Sequence, residues 1–216
     1  MILYTYLALG DSYTIGEGVL LSESFPYQTV QILRQTPLTV ANPFGGLQIE
    51  APQIIAQTGW TTDELDAAIN AAAVTKQYDI VSLLIGVNNQ YRGRTVSDFN
   101  FEFERLLQRA IQFAGNKPNH VFVFSIPDWG ITPFGEARLP DGQERDSNKI
   151  AAEIDAYNNV CKAAATQQNC EFIDITTSQR QDGNKREFLA ADGLHPSGKE
   201  YAKWAALLAE KIILKM

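Results

Sequence analysis

The chain has 216 residues, of which 45% are hydrophobic and 20% charged, and its formal net charge is −7. This length suffices for a sizeable core, so we expect a single domain over residues 1–216. The acidic balance argues against a nucleic-acid partner, which needs basic patches. The sequence contains no run of eighteen apolar residues, which is the length that would suggest a membrane-spanning helix. The sequence also begins without the features of a signal peptide, so we expect a cytoplasmic protein, although a trimmed precursor would look the same.

Apolar runs alternate with amphipathic stretches along the chain, which is typical of a parallel sheet with helices on both faces. The predicted strands are residues 2–9, 47–57, 78–85, 121–126 and 171–175. The predicted helices are residues 24–35, 61–73 and 96–114, one marked by apolar positions between 150 and 164, and one after Ser197. The right-handed crossover rule then favours an α/β fold, a three-layer α/β/α sandwich with about five parallel strands.

Local signals indicate where some of these helices begin. Thr61 with Glu64, and Ser197 with Glu200, have the spacing of capping boxes. The long connection over residues 127–146 is predicted to be a loop, because several glycines and prolines interrupt it. It has no apolar helical stretch of the kind that would form a lipase lid.

A serine follows the first predicted strand, in the stretch Gly10-Asp11-Ser12. Open α/β sheets bind their ligands at this end of the strands. A serine nucleophile needs a base, and His195 offers one with Asp192 three residues before it. An aspartate at that spacing can accept the Nδ1–H of the imidazole and leave Nε2 free to take the serine proton. Asp192 and His195 alone would also fit a surface turn, but together with Ser12 they predict a catalytic triad.

Acyl transfer also needs hydrogen-bond donors for the oxyanion. The candidates are the backbone N–H of Ser12, the backbone N–H of Gly59 and the side-chain amide of Asn88. Gly59 follows the second predicted strand and Asn88 the third, so all three residues are expected at one edge of the sheet. Taken singly, Gly59 and Asn88 also fit ordinary turns.

The stretches Gly10-Asp11-Ser12, Gly59, Gly86-x-Asn88 and Asp192-x-x-His195 resemble, in order, the four sequence blocks of the SGNH hydrolases, also called GDSL esterases and lipases. The resemblance implies a flavodoxin-like sandwich with sheet order 2-1-3-4-5 and ester hydrolysis through an acyl-enzyme, with Ser12 as nucleophile and His195 as base. It implies neither a metal nor an organic cofactor. The third block usually reads Gly-x-Asn-Asp in that family, whereas position 89 is Asn here.

We therefore expect an esterase that acts on a small or carbohydrate-borne acyl ester. The alternatives are a lysophospholipase or thioesterase of the same family, and a non-catalytic binding domain that retained the fold. A flavodoxin-like nucleotide binder is a further alternative, for which the glycine-rich nucleotide motifs are missing. The fold does not by itself determine the natural substrate. Some side chains near the strand ends are candidate substrate contacts, although each also fits ordinary packing: Tyr13, Ile15, Trp60, Asn89, Tyr91, Arg92 and Trp129.

Overall fold

Five strands form one parallel sheet in the computed structural model, which describes residues 3–36, 46–138 and 142–215. They are β1 (Tyr6–Gly10), β2 (Gln53–Ala56), β3 (Ile80–Leu84), β4 (Val121–Phe124) and β5 (Glu171–Ile173). The spatial order is β2-β1-β3-β4-β5, with Leu7 of β1 opposite Gln53 on one side and Val81 on the other. This confirms the α/β class and the expected sheet order.

Helices lie on both sides of the sheet. They are α1 (Ser12–Ile15), α2 (Phe25–Gln35), α3 (Thr62–Ala71), α4 (Val87–Tyr91), α5 (Val96–Phe113), α6 (Pro133–Glu136), α7 (Ser147–Gln167), α8 (Thr176–Asp182) and α9 (Gly198–Ile213). Short 3₁₀ turns occupy Leu21–Glu23, Pro118–His120, Trp129–Ile131 and Arg186–Phe188. Helices α2 and α9 pack against each other, while α3 and α7 both pack against α5. The sheet therefore lies between two helical layers.

The three central strands are buried along their whole length. Strands covered on both faces read as continuous apolar runs rather than as alternating patterns, which explains why β1, β3 and β4 were visible in the sequence. Between the sheet and one helical layer, the ring centroids of Phe25 and Phe124 lie 4.8 Å apart, and Trp204 packs beside Phe25. Burial of each such side chain contributes about 1.5–3 kcal/mol. Within the described ranges, the helices include none long and apolar enough to cross a bilayer.

The first two strands are shorter than predicted. Strand β2 begins at Gln53, and before it only an isolated bridge joins Ile49 to Tyr4. Pro52 lies between the bridge and the strand, and its missing N–H interrupts the ladder. Residues 1 and 2 of the predicted first strand lie outside the described residues.

One of the two predicted capping boxes is confirmed and the other is wrong. The backbone N–H of Thr61 donates to Glu64 Oε2 at 2.9 Å. Ser197 instead donates its hydroxyl to the carbonyl of Glu187 at 2.7 Å. Glu200 is buried and accepts the indole N–H of Trp204 at 3.1 Å, because that buried donor needs a partner.

The prediction of an unstructured connection over residues 127–146 is wrong in part. The connection contains the turn Trp129–Ile131 and helix α6. Asp128 Oδ1 accepts the N–H of Gly130 at 3.0 Å, and Thr132 Oγ1 accepts the N–H of Gly135 at 3.2 Å. These caps supply the start signals that the glycine and proline content obscured. Residues 139–141 lie outside the described residues.

Candidate active site

Ser12 lies at the start of α1, a single helical turn that follows β1 at the carboxyl edge of the sheet. Asp11 is the N-cap, and its Oδ1 accepts the N–H of Tyr13 at 3.1 Å. A Cβ at Gly10 would overlap both Thr14 Oγ1 and the carbonyl of Leu84. Only glycine at position 10 therefore lets the serine turn pack this closely on β3.

His195 lies between Ser12 and Asp192. Its Nε2 is 3.0 Å from Ser12 Oγ, and its Nδ1 is 2.6 Å from Asp192 Oδ2. The other carboxylate oxygen of Asp192 accepts the backbone N–H of Leu194 at 2.9 Å and of His195 at 3.0 Å. The Tyr13 ring packs 5.3 Å from the imidazole, centroid to centroid. These contacts fix both the loop and the plane of the histidine ring.

The hydrogen bonds at Asp192 also define its charge. Partial burial acts to raise the pKa of Asp192, but hydrogen bonds from His195 Nδ1 and from two backbone N–H groups outweigh it and lower the pKa below its usual value. The carboxylate is therefore ionised at neutral pH and can only accept hydrogen bonds. Nδ1 must therefore be the donor to this carboxylate, and in the neutral imidazole the lone pair of Nε2 faces the hydroxyl of Ser12.

Asp11, next to the serine, has a different environment. It is almost fully buried, and burial raises its pKa to about 7 even though the N–H of Tyr13 favours the charged form. Among the described residues, no three His, Cys, Asp or Glu side chains come together as a metal site would require.

The structure brings Asn88 beside the segment that follows Gly59. Asn88 lies in the first turn of α4, and its Nδ2 donates to the carbonyl of Trp60 at 3.0 Å. A side-chain amide has two N–H donors, so one remains for another acceptor. Gly59 has φ of +85°, and a Cβ there would meet only Arg92 Nη2, at 3.8 Å. The left-handed backbone, rather than lack of space, therefore favours glycine at this position.

A cavity of about 170 Å³ opens beside the serine and the histidine. Its walls are mainly apolar and aromatic. The residues that line it are Ser12, Tyr13, Val87, Asn88, Tyr91, Trp129, Phe134, Leu194 and His195. The Tyr91 ring is half exposed at the rim and meets Trp129 edge-on at 5.3 Å. A group bound here would contact aromatic rings directly beside Ser12 Oγ.

Three of the predicted substrate contacts line this cavity: Tyr13, Tyr91 and Trp129. The other four, Ile15, Trp60, Asn89 and Arg92, lie outside its lining in the described part of the chain. The expectation that Asn89 contacts the substrate is wrong. Its side chain is completely buried, and its amide is bonded to Thr62 and Glu102 instead. Arg92 is bonded to Gly59 and Glu64.

Sequence reasoning missed Val87, Phe134 and Leu194 as lining residues. Phe134 follows a threonine cap and a proline at the first position of α6, a combination that signals a helix start. Leu194 lies within the Asp192–His195 stretch and could have been included on that ground.

The sequence matches the family described as GDSL-like lipase/acylhydrolase over residues 8–203. Among solved structures, the fold is similar to that of a lipase/acylhydrolase from Enterococcus faecalis, with 21% identity, TM-score 0.69 and coverage of 97% of this chain and 95% of that one. It is also similar to TesA, with 18% identity, TM-score 0.70 and coverage of 98% and 99%. A third similar structure is Axe2, an acetylxylan esterase from Geobacillus stearothermophilus, with 19% identity, TM-score 0.68 and coverage of 97% and 94%. No curated protein sequence gives a significant match. At these identities the likeness to the solved structures establishes the fold alone.

Proposed function

Because the chain belongs to the GDSL-like lipase/acylhydrolase family of hydrolases, we propose that it is a serine esterase for esters of short acids. The observation that carries this proposal is the alignment of three groups. Ser12 Oγ lies 3.0 Å from His195 Nε2, and His195 Nδ1 lies 2.6 Å from Asp192 Oδ2. This arrangement matches the nucleophile, base and orienting group of a catalytic triad. A non-catalytic binding domain would have no need of it.

In the proposed reaction, Ser12 Oγ attacks the ester carbonyl carbon while its proton moves to His195 Nε2. Asp192 stabilises the imidazolium that forms. His195 then gives the proton to the leaving alcohol oxygen as the carbon–oxygen bond breaks, which leaves an acyl group on Ser12. Water attacks the carbonyl carbon of this acyl-enzyme while His195 Nε2 takes a proton from it. His195 then returns the proton to Ser12 Oγ as the bond between Oγ and the acyl carbon breaks, which releases the acid and restores Ser12.

The tetrahedral intermediates carry a negative oxygen, for which we propose three donors. They are the backbone N–H groups of Ser12 and Gly59 and the free amide N–H of Asn88. Such pre-positioned donors stabilise charge that appears only in the transition state. The bond from Asn88 to Trp60 supports this role, since it holds the amide beside the Gly59 segment.

The cavity supports a short acyl group. Ligand pockets usually have volumes of roughly 300–1,000 Å³, and this one has about 170 Å³. A lysophospholipase or a long-chain thioesterase would need more room for its acyl chain. The alcohol part of the substrate is less constrained, because Tyr91 is exposed at the cavity rim. An acetylated sugar belongs among the substrates to test, since the fold is shared with an acetylxylan esterase.

Hydrolysis of p-nitrophenyl acetate tests the proposal. The Ser12→Ala variant should lose nearly all activity, whereas Ser22→Ala, at an exposed serine in the turn Leu21–Glu23, should keep it. Circular dichroism should show that both variants are folded. Full activity in Ser12→Ala would overturn the assignment of the nucleophile. An inactive wild-type protein would favour the non-catalytic alternative.

A further inference from the structure

The two loops that supply the proposed oxyanion donors follow strands that do not pair with each other. Gly59 comes after β2 and Asn88 after β3, and β1 lies between these strands in the sheet. The sheet register alone therefore does not set the separation of the two donors. Side chains of α4, and of the residue that ends it, make this connection instead.

Arg92 forms the first link, from the end of α4. Its Nη2 donates to the carbonyl of Gly59 at 2.7 Å, and its Nη1 lies 3.3 Å from Glu64 Oε2. The same carboxylate oxygen accepts the backbone N–H of Thr61 at 2.9 Å. The rigid guanidinium of Arg92 thus holds the segment 59–62 at two points. It contacts Gly59 directly, and it contacts Thr61 indirectly, through the carboxylate of Glu64.

Asn89 forms the second link, in the protein interior. Its Oδ1 accepts the backbone N–H of Thr62 at 3.1 Å, and its Nδ2 donates to Thr62 Oγ1 at 2.6 Å and to Glu102 Oε2 at 3.3 Å. The Thr62 hydroxyl in turn donates to Glu102. The amide orientation is fixed, because the reverse orientation would put its oxygen against the carboxylate. An aspartate at position 89 would likewise bring an acceptor-only group against Glu102.

We propose that Arg92 and Asn89 are positioning residues of the oxyanion hole, an inference that rests on the proposed esterase function. They hold residues 59–62 against α4 and so keep the Gly59 N–H and the Asn88 amide directed at one oxygen. A displacement of about 1 Å in a catalytic group can lower the rate by roughly 10². Because the oxyanion charge develops only in the transition state, the effect falls on kcat rather than on KM.

The first experiment replaces the half-exposed Arg92, whose loss leaves the core intact. On p-nitrophenyl acetate, Arg92→Met should lower kcat by roughly 10- to 10²-fold, with KM within about twofold of wild type. The affinity for ethylboronic acid, which forms a tetrahedral adduct with a serine nucleophile, should fall in parallel. Arg92→Lys should recover part of kcat, since an ammonium can still donate to the Gly59 carbonyl. The matched control is Arg105→Met on α5, where an exposed arginine pairs with Asp66, and it should behave as wild type.

The second experiment reverses the polarity at position 89. Asn89→Asp should lower kcat, and adding Glu102→Gln should restore much of it, because the glutamine amide can donate to the new carboxylate. Melting temperatures are recorded for every variant. Two results would overturn the inference and leave the esterase assignment standing. One is an unchanged kcat with a lower melting temperature in Asn89→Asp, and the other is a wild-type kcat in Arg92→Met. A wild-type protein without esterase activity would overturn both.

Discussion

Phe134 forms one wall of the cavity, and its removal should lengthen the acyl chain that the enzyme accepts. Its ring lies 6.0 Å from the Trp129 ring and 6.5 Å from the Tyr91 ring. Two hydrogen bonds hold the backbone at this position, and Arg145, which donates one of them, also packs over the ring at 4.6 Å from its centroid. The N–H of Phe134 donates to the carbonyl of Gly193 at 3.1 Å, and its carbonyl accepts from Arg145 Nη1 at 2.8 Å. Phe134→Ala should therefore remove the wall and leave the histidine loop in place.

The size of the effect follows from the burial of methylene groups. Each buried CH₂ contributes about 0.8 kcal/mol, which is roughly fourfold in kcat/KM. In the wild type, kcat/KM should peak between acetate and butyrate and fall by octanoate, because the cavity ends at the aromatic wall. If the loss of the ring admits two more methylenes, the ratio of hexanoate to butyrate activity should rise roughly 16-fold.

The assay is a series of p-nitrophenyl esters from acetate to decanoate, kept below their micellar concentrations. Phe101→Ala is the matched control, since Phe101 is an exposed phenylalanine on α5, and it should leave the profile unchanged. An unchanged profile in Phe134→Ala would refute the assignment of this ring to the acyl wall. A wild-type profile that still climbs at decanoate, or a jump in rate above the micellar concentration, would refute the short-acyl proposal itself.

The remaining predictions concern polar groups in and beside the site. Asn88→Ala should lower kcat on p-nitrophenyl acetate by roughly 10²–10³, with KM little changed; a raised KM at constant kcat would place Asn88 in ground-state binding. Asp192→Asn should lower kcat by favouring the wrong tautomer of His195. The double variant Ser12→Ala, His195→Ala should be little less active than either single variant, because residues that act as a unit do not contribute additively. Additive losses of activity would contradict a shared triad. Burial raises the pKa of Asp11 to about 7. The folded protein therefore keeps a proton on Asp11 that the unfolded chain loses near pH 4. As a result, the free energy of unfolding declines as the pH rises from about 4 to about 7. Asp11→Asn, which keeps the cap acceptor, should therefore stabilise the protein by up to about 4 kcal/mol at pH 8 and very little at pH 4, as measured by urea unfolding.

The core strands and the main site residues were accessible from the sequence for physical reasons. Strands β1, β3 and β4 are covered on both faces, so each lies in a mainly apolar run that a glycine or a polar residue ends. The polar exception inside these strands is the buried Ser82 of β3. In a parallel sheet the residues after such runs meet at one edge. Ser12 and Asn88 could therefore be placed together before their contacts were known. The sheet order came from the family resemblance, because apolar periodicity does not specify which strands are neighbours.

The short helices could not be found in the same way. Helices α4 and α6 have five and four residues, which is too short for a 3.6-residue periodicity to show. Phe134 was consequently assigned to a loop and missed as a wall of the cavity. The roles of Asn89 and Arg92 depend on bonds to Thr62 and Gly59 across about thirty residues of sequence. Such contacts depend on where the tertiary fold places α4 relative to residues 59–64, and no local pattern encodes them.

The reactivity of Ser12 is tested most directly by intact-protein and peptide mass spectrometry after treatment with diethyl p-nitrophenyl phosphate. We expect one diethylphosphoryl group for each protein molecule, located on Ser12, with esterase activity lost in proportion to labelling. His195→Ala should prevent the labelling, because the serine hydroxyl then has no base within reach. A protein that is not labelled, an adduct on another residue, or full activity in the labelled protein would contradict the claim that Ser12 is a nucleophile activated by His195.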